Sequence, residues 1–334
     1  MKKIVGIDIS KDSFHAAYVD ISGELIYQEW PYKKETDLDK FFDKLHPESC
    51  LVMEATGVYH KSLAYAAAQR GYKVCVENPA RIKLYAKLKN ITTKTDKADA
   101  KLIAKYALNN DKNLDWFKLP SIAADELDQL RMYEAGLKKV LQSQKNRLES
   151  VKFHPRQSLE VTEMLEEDIE QLNKRIEEVQ KKMQKISKKE FGNYYKILKS
   201  IPGIGDKTAV DLICVLNSFS GWDEENLTKR FVKYVGLAPV VHQSGKSVRK
   251  KTFICRSSTP FLRAKLYMGA MSAIYKTKND NIFKRYHKKK LGEKKPEKQI
   301  ILAVMQKMVK IAIALIRDNM LFDEIKYGVA KKKY

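Results

Sequence analysis

Two carboxylates stand three residues apart in the basic stretch TTKTDKADAKL, as Asp96 and Asp99. Residues with this spacing share one face of a helix, so the two side chains would lie side by side. Taken alone, the pair also fits an ordinary helix start, because acids stabilise the positive end of a helix. Whether the pair does chemistry therefore depends on which other acids could join it.

Two further acids, Asp8 and Glu54, each follow an apolar run that reads as a buried strand. Strand ends at one edge of a sheet project their side chains into a common crevice. Two carboxylates roughly 4 Å apart repel by about 4 kcal/mol at an effective dielectric constant of about 20, so four of them together require cations. Mg²⁺ suits such oxygen ligands when phosphate is also bound, and two ions can activate an oxygen that attacks a phosphodiester. The four acids therefore predict a metal site for phosphodiester chemistry.

The charge of the chain indicates a polyanionic partner. Its 334 residues include 64 Lys and Arg against 41 acids, a formal net charge of +23, which points to nucleic acid. We find no apolar run long enough to span a bilayer, and Asp8 interrupts the first apolar stretch too early for a signal peptide. We therefore expect a cytoplasmic protein without a membrane partner. The four cysteines include no CxxC pair, which argues against zinc.

The elements that must position the acids form an α/β layer in residues 1–118. Strand and helix signals alternate there, and two strand-like segments flank a SerGly pair at 22–23, a hairpin signature. From Asp96 onward the apolar spacing predicts an amphipathic helix. One acid after the first strand, a second after a central strand and a closing pair on a late helix are typical of an RNase H-like nuclease fold.

Residues 119–192 form a predicted helical arm. Apolar side chains recur at alternating three- and four-residue steps on both sides of HisPro 154–155, a heptad seam. Two long helices with a break between them indicate a coiled-coil arm. The periodicity leaves open whether the seam closes within one chain, as a helical hairpin, or between two chains.

Residues 193–334 form a predicted, mainly helical third domain. The segment KILKSIPGIGDKTAVDLI reads as a helix-hairpin-helix, whose glycine turn offers backbone N–H groups to a phosphate. Residues 276–298 carry ten Lys or Arg against three acids, with aromatic residues interleaved, as expected of a nucleic-acid contact. The nucleic-acid-binding residues predicted in this domain are Gly203, Gly205, Lys207, Lys246, Arg249, Lys284, Arg285, Lys288, Lys289 and Lys290.

Several segments together resemble one known family. GIDISKDSFHAAYVD, MEATGVYHKSLAYAAAQRGYKVCVENPARIK and TKTDKADAKLIAKYA resemble the RuvC-like N-terminal domain of DEDD transposases of the insertion-sequence one-ten family. IPGIGDKTA, FVKYVGLAPVVHQSGKS and FLRAKLYMGAMSA resemble the C-terminal transposase domain of that family. The resemblance covers nearly the whole chain.

The resemblance implies a complete set of functional parts. Asp8, Glu54, Asp96 and Asp99 would bind Mg²⁺, with Mn²⁺ as a substitute, and Ser244 in the motif HisGlnSerGly would be the nucleophile toward DNA phosphate. The family's enzymes are recombinases guided by a structured RNA from the element, which pairs with donor and target DNA. They work as homodimers that pair into tetramers.

Some alternatives stay open. Ser247 is a rival to Ser244, and His242 is one candidate base for either serine. The segment 255–260, CysArgSerSerThrPro, stands where the family usually has a turn rich in glycine and lysine. A metal-dependent junction-resolving or structure-selective endonuclease would need only the acids, with water as the nucleophile. A third alternative is a basic, dimeric nucleic-acid-binding scaffold without catalysis, in which the acids merely cap helices.

Overall fold

The computed structural model describes residues 4–19, 25–32, 35–217, 227–240, 243–244, 248–249, 253–255 and 260–323. The chain divides into two compact units, Met1–Leu119 and Pro120–Tyr334. The first is a mixed α/β unit and the second is mainly helical.

The first unit is built on a five-stranded sheet with the strand order β3-β2-β1-β4-β5. The first two connections give antiparallel pairs, and β4 and β5 continue the sheet in parallel with β1. The expected hairpin is therefore the β2–β3 pair. The strands are β1 (Ile4–Ile9), β2 (Ser13–Val19), β3 (Leu25–Pro31), β4 (Cys50–Glu54) and β5 (Lys73–Glu77).

Four helices cover this sheet, and local signals fix where two of them begin. Asn78 accepts a hydrogen bond from the Ala80 backbone and precedes a proline at the first helical position. Thr95 accepts from the Ala98 backbone at the start of the fourth helix. The helices are α1 (Glu35–Phe42), α2 (Tyr59–Gln69), α3 (Pro79–Leu88) and α4 (Asp96–Asn109), followed by a 3-10 turn at Asp111–Asn113.

Alternation along the strands separates two cores. Val5, Ile7 and Ile9 of β1 pack in the cluster that contains the apolar faces of α1 and α2. Ile4 packs in the other cluster, with side chains of α3 and α4. Because successive strand residues point to opposite faces, Asp8 lies on the same face of the sheet as α4.

Gly6 allows α4 to approach β1 closely. A Cβ atom at this position would lie 2.2 Å from the Ala104 backbone nitrogen and 2.6 Å from the Ala100 carbonyl oxygen. Both atoms belong to the backbone of α4, so any larger residue displaces the helix. Alanines at 17, 100 and 104 complete this close contact between α4 and the sheet.

The second unit begins with two long helices, α5 (Ile122–Lys152) and α6 (Leu159–Glu190), each started by a serine cap. They pack on each other within the chain as a helical hairpin. Polar contacts cross between them, from Gln144 to Asp168 at 2.8 Å and from Lys152 to Glu166 at 2.7 Å. The seam closes within this chain, while pairing between chains stays a prediction.

In the described part of the remainder of the unit, six helices pack around one large apolar core. They are α7 (Gly192–Ser200), α8 (Asp206–Asn217), α9 (Leu227–Tyr234), α10 (Pro260–Met271), α11 (Ile282–Gly292) and α12 (Glu297–Arg317), with a π-helical turn at Ser272–Lys276. Two short strand pairs join β6 (Pro239–Val240) to β9 (Phe253–Ile254) and β7 (Gln243–Ser244) to β8 (Val248–Arg249).

Helix α12 corrects the expectation that no apolar segment is long enough for a bilayer. Its length and composition match those of a membrane span, despite Lys307 and Lys310 within it. However, 61% of its apolar window is buried inside the unit. That burial is the behaviour of a core helix, and it explains why the helix is apolar on most of its surface.

Candidate functional site: an acidic group at the sheet edge

The sheet brings Asp8 and Glu54 to one face and one end. Asp8 is the second-last residue of β1, and Glu54 is the last residue of β4, the parallel neighbour of β1. Val52 and Cys50 share the face of Glu54 and pack in the cluster beneath α3 and α4. Both carboxylates are half-buried on that face, next to the start of α4.

The first turn of α4 supplies the other two acids. Asp96 and Asp99 both belong to it, as the spacing predicted, and Thr95 caps the helix just before them. The Asp96 side chain is 71% exposed, whereas Asp99 is half-buried. Close packing of α4 on Gly6 sets how near this turn comes to β1.

The carboxylates influence one another electrostatically. Burial raises the pKa of Asp8, and the charges of Asp99 and Asp96 raise it further. Burial likewise raises the pKa of Glu54, with Asp8 and Asp99 adding to the effect. Burial and Asp96 raise the pKa of Asp99 against the charge of Lys94. The predicted acids are therefore near enough to repel, which is the electrostatic requirement for a cation site.

The donors fit a hard divalent cation in kind, since all four are carboxylates and their repulsion disappears when a cation binds. Across the described ranges, however, no three His, Cys, Asp or Glu side chains form a ready-made metal site. Asp96 also has a neighbour outside the acids, because its Oδ2 atom lies 3.3 Å from Nε2 of His15. The acids lie together at one edge of the sheet, but they do not surround one common position for an ion.

His15 and Tyr27 are neighbours of the acids that the sequence analysis missed. His15 is the register partner of Asp8 across the β1–β2 pair, so both side chains lie on the α4 face. Its Nδ1 atom is 2.5 Å from the hydroxyl of Tyr27 on β3. The signal available in the sequence was strand alternation in a hairpin, which places His15 beside Asp8 once the register is known.

Two lysines, Lys94 and Lys97, flank Asp96 in the chain. The charge of Lys94 lowers the pKa of Glu54 and of Asp99, so its ammonium group lies near both. Lys97 instead lies 5.3 Å from the centre of the Tyr27 ring. Lys94 is therefore the better placed of the two to meet a phosphate at the acidic group.

Ser244 belongs to the β7–β8 pair, where its backbone is the register partner of Val248. Arg249 lies in β8, opposite Gln243. Only the backbone of these residues is described. Lys246, Ser247 and His242 lie outside the described residues.

The two glycines of the predicted phosphate turn differ in their surroundings. Gly203 has a φ of +86°, and a Cβ atom there would lie 2.2 Å from the carbonyl oxygen of Gly269 in α10. Gly205 meets no atom within 4 Å of such a position and is exposed, as is Lys207. Gly203 is thus required for packing, while Gly205 and Lys207 are accessible to a phosphate.

The cleft beside this turn has a volume of about 520 Å³. Its lining includes three lysines and four acids: Lys181, Lys207 and Lys265, and Glu134, Glu177, Asp206 and Asp211. Lys265 pairs with Asp211, so part of the positive charge is already neutralised. The cleft therefore lacks the excess of positive charge that a phosphate site needs.

Helix α11 presents the predicted basic run, with its charges unequally available. Arg285 pairs with Asp280 at 2.7 Å, and Lys290 pairs with Glu293 at 3.0 Å. The Lys284 ammonium group donates a hydrogen bond to the carbonyl oxygen of Thr277. The remaining predicted cations of the run, Lys288 and Lys289, are exposed.

Lys307 of α12 joins this basic surface and was missed from the sequence. Its Nζ atom is 4.5 Å from the centre of the Tyr286 ring of α11. Burial lowers the pKa of Lys307, and the charges of Arg285 and Lys289 lower it further. A lysine held among other cations is a position where a phosphate would relieve repulsion. The available signal was the presence of Lys307 within the apolar run of this helix.

Comparisons with known proteins cover both units. A transposase model, the DEDD transposases of IS110 type, matches residues 5–151. A second model, described as Transposase IS116/IS110/IS902 family, matches residues 195–288. The chain is similar to the pilin gene-inverting proteins of Moraxella lacunata and Moraxella bovis, each 30% identical over an alignment of 335 positions that covers 97% of this chain and 98% of that protein. It is also 28% identical over 131 residues to the uncharacterized 44.8 kDa protein of insertion element IS116 from Streptomyces clavuligerus, covering 38% of this chain and 30% of that protein.

Proposed function

The chain belongs to the IS116/IS110/IS902 family of transposases, and on this premise we propose that it cuts and rejoins DNA with a divalent-metal site and a serine nucleophile, under the direction of a guide RNA. The metal ligands in this proposal are Asp8, Glu54, Asp96 and Asp99. DNA transposase or recombinase activity follows from the family itself. The finer parts of the mechanism are argued below from the residues that support them.

The observation that carries the metal site is the mutual influence of three carboxylates. Asp8, Glu54 and Asp99 come from two strands and a helix, and the charges of Asp8 and Asp99 raise the pKa of Glu54 after burial. Repulsion of this kind costs stability unless a cation offsets it. Lys94 supplies one positive charge, which is less than the negative charge of these three acids.

The strand order supports an RNase H-like fold for the first unit. Three antiparallel strands are followed by two parallel ones in the order β3-β2-β1-β4-β5, with α4 packed on the face that carries Asp8 and Glu54. In this arrangement the central strand and its parallel neighbour end side by side. The metal-site residues would then stand at that edge, where a DNA strand can reach them.

Mg²⁺ or Mn²⁺, when bound by these carboxylates, would polarise a phosphodiester and activate the attacking oxygen. The residues of the chain would do the rest. Glu54 and Asp8 fix one side of the site because they stand on adjacent strands. Asp99 closes it from the rigid first turn of α4, and Lys94 lies where it can bind a neighbouring phosphate.

The serine step is proposed from the family resemblance. The Ser244 hydroxyl oxygen would bond to a DNA phosphorus while the bond from that phosphorus to one deoxyribose oxygen breaks, and that oxygen would leave as a strand-end hydroxyl. A hydroxyl of the incoming strand would later attack the same phosphorus and release the serine. A serine needs a base to take its proton, or a metal ion that lowers the pKa of its hydroxyl. The strand pair β7–β8 supports an ordered backbone for Ser244. We further propose that the protein forms a homodimer and that two homodimers pair into a tetramer. In the cytoplasm, the guide RNA would pair with both donor and target DNA.

The deciding experiment measures strand cleavage and joining on a supercoiled plasmid carrying the element ends, with the RNA that co-purifies with the protein. We expect activity that requires Mg²⁺ and that RNA, and a trapped protein–DNA adduct. Asp8→Asn and Glu54→Gln should abolish cleavage while DNA binding persists. Glu48→Gln is the matched control, because Glu48 is exposed at the opposite end of the same sheet.

The serine variants separate transposase chemistry from simple hydrolysis. Ser244→Ala should remove both cleavage and adduct, whereas Ser247→Ala should keep them. Full cleavage by Ser244→Ala without an adduct would mean that water is the nucleophile, as in a junction-resolving endonuclease. If neither the natural protein nor Asp8→Asn carried out any DNA reaction while both bound DNA, only a binding scaffold would remain.

A further inference from the structure

His15 occupies a position that neither a family motif nor the four acids explain. It lies on β2 directly opposite Asp8 on β1, and its side chain is only 7% exposed. Buried polar side chains are usually held by hydrogen bonds. Both ring nitrogens of His15 have partners, one on β3 and the other at the start of α4.

The partners assign the hydrogens on the ring. Asp96 when ionised can only accept, so the 3.3 Å contact between its Oδ2 atom and Nε2 of His15 favours the tautomer with the hydrogen on Nε2. The Nδ1 atom lies 2.5 Å from the Tyr27 hydroxyl, which donates to it. The two rings are also stacked, with an interplanar angle of 8°. Tyr27 therefore fixes both the tautomer and the orientation of the histidine.

Three of the acids, Asp8, Glu54 and Asp99, form one group around Glu54, and Asp96 stands apart as the fourth. Asp8 and Asp99 are the acids whose charges raise the pKa of Glu54, after burial. Asp96 acts on Asp8 and Asp99 instead, from the side of the site where His15 stands. The Asp96 side chain is 71% exposed, so packing alone does not hold its carboxylate. The contact with His15 is what orients it.

We propose that His15 is a positioning residue of the acidic site, which holds the Asp96 carboxylate beside Asp8 for a divalent cation, with Tyr27 fixing the histidine. This inference rests on the proposed metal site. Carboxylates that bind metals are themselves held by hydrogen bonds, and loss of such a partner typically costs about 10- to 100-fold in metal affinity or activity. A rigid partner matters most for Asp96 because it is the most exposed of the four acids.

The test measures Mn²⁺ binding to the metal-free full-length protein by calorimetry, without DNA or RNA. His15→Leu keeps apolar bulk and removes the donor, and we expect it to weaken Mn²⁺ binding by about 10-fold or more. His15→Gln retains an N–H near the position of Nε2 and should recover most of the affinity. Tyr27→Phe removes the hydroxyl and should cause a smaller loss.

Cleavage assays provide the second readout. In His15→Leu, activity should fall at low Mg²⁺ and return toward the normal rate when Mg²⁺ is raised, because the defect is in metal affinity. Asp8→Asn should abolish Mn²⁺ binding under the same conditions. If Asp8→Asn binds Mn²⁺ normally, the proposed metal site is wrong, independently of His15.

Two results would overturn the role of His15 while leaving the metal site intact. One is Mn²⁺ binding by His15→Leu with the affinity of the natural protein. The other is tighter binding, which would mean that His15 withdraws Asp96 from the cation. If His15→Leu fails to fold by circular dichroism, Tyr27→Phe decides, since Mn²⁺ binding by Tyr27→Phe with the affinity of the natural protein also overturns the proposal.

Discussion

Glu54 and Glu77 are register partners on adjacent parallel strands, yet their carboxylates have opposite surroundings. Glu77 is buried and accepts hydrogen bonds from the Tyr106 hydroxyl at 2.7 Å, from Arg81 at 3.1 Å and from the Asn78 backbone at 2.8 Å. Glu54 instead faces Asp8 and other acids. One carboxylate is therefore structural, and its neighbour carries an unbalanced charge available to a ligand.

Loss of the Tyr106 hydroxyl should destabilise the first unit. Tyr106 lies on α4 two turns after Asp99, so its bond to Glu77 helps to fix the helix on the sheet. We expect Tyr106→Phe to lower the free energy of unfolding by about 1.5–3 kcal/mol, measured in urea, because Glu77 stays buried with one donor fewer. The exposed control Tyr59→Phe should change it by less than about 0.5 kcal/mol. An unchanged midpoint in Tyr106→Phe would refute this role.

An alanine at position 6 should push α4 away from β1. The added Cβ would meet backbone atoms of Ala104 and Ala100, which cannot rotate aside. We expect Gly6→Ala to cost about 1–3 kcal/mol or more of stability and to lower cleavage by displacing Asp99. Gly136→Ala is the control, because its Cβ meets nothing within 4 Å, and it should stabilise α5 by up to about 1 kcal/mol. Equal stabilities of the two variants would contradict the close contact.

Removal of the Asp8 charge should stabilise the metal-free protein. Burial, Asp99 and Asp96 raise the pKa of Asp8 in the folded state, so its ionised form disfavours folding above that pKa. In EDTA at about pH 7, Asp8→Asn should unfold with a free energy about 0.5–2 kcal/mol higher than the natural protein. The difference should shrink as pH falls through the raised pKa, where Asp8 takes up a proton, and reverse in saturating Mg²⁺. Thermal melts at several pH values measure it, and a gain that grows toward acid pH would contradict it.

Glu134 should stabilise the α5–α6 hairpin. The pKa of Glu134 is lowered in the folded protein, whereas that of Asp8 is raised, so its effect on stability should be favourable above that pKa. Burial favours its neutral form, but hydrogen bonds from Lys138 and Gln180, both 2.6 Å from Oε1, outweigh burial and lower the pKa of Glu134. We expect Glu134→Gln to cost about 1–3 kcal/mol at about pH 7.

The pH dependence of that loss identifies the carboxylate. The stabilisation is present above the ordinary carboxyl pKa of 4.5 and disappears as pH falls through the lowered pKa, so the two proteins should converge in acid. Urea unfolding at several pH values gives the measurement. The exposed control Glu126→Gln should match the natural protein throughout, and a difference that persists in strong acid would point to packing instead.

Lys307 should contribute one phosphate contact to nucleic-acid binding. Its position over the Tyr286 ring, near Arg285 and Lys289, leaves it among cations. We expect Lys307→Gln to weaken binding of DNA or guide RNA and to reduce the slope of log affinity against log salt by about 1. Lys174→Gln is the control, because Lys174 already pairs with Glu170 at 2.6 Å. Identical slopes for Lys307→Gln and the natural protein would exclude the contact.

The patterns that the sequence carries locally were sufficient for several features. The apolar runs before Asp8 and Glu54 became β1 and β4, and the acid pair became the first turn of α4, capped by Thr95. The seam of the arm predicted two long helices, which the structure contains. These features depend on residues close together in the chain, where spacing and capping directly report the secondary structure.

Contacts between distant segments were decided only by the tertiary structure. Strand register placed His15 against Asp8, and the docking of α4 brought Tyr106 to Glu77 and Asp96 to His15. The sequence by itself determined which elements form and which acids they carry. It did not determine which side chains are neutralised, because that depends on how the strands align and how closely the helix packs, and these are set by the whole core together.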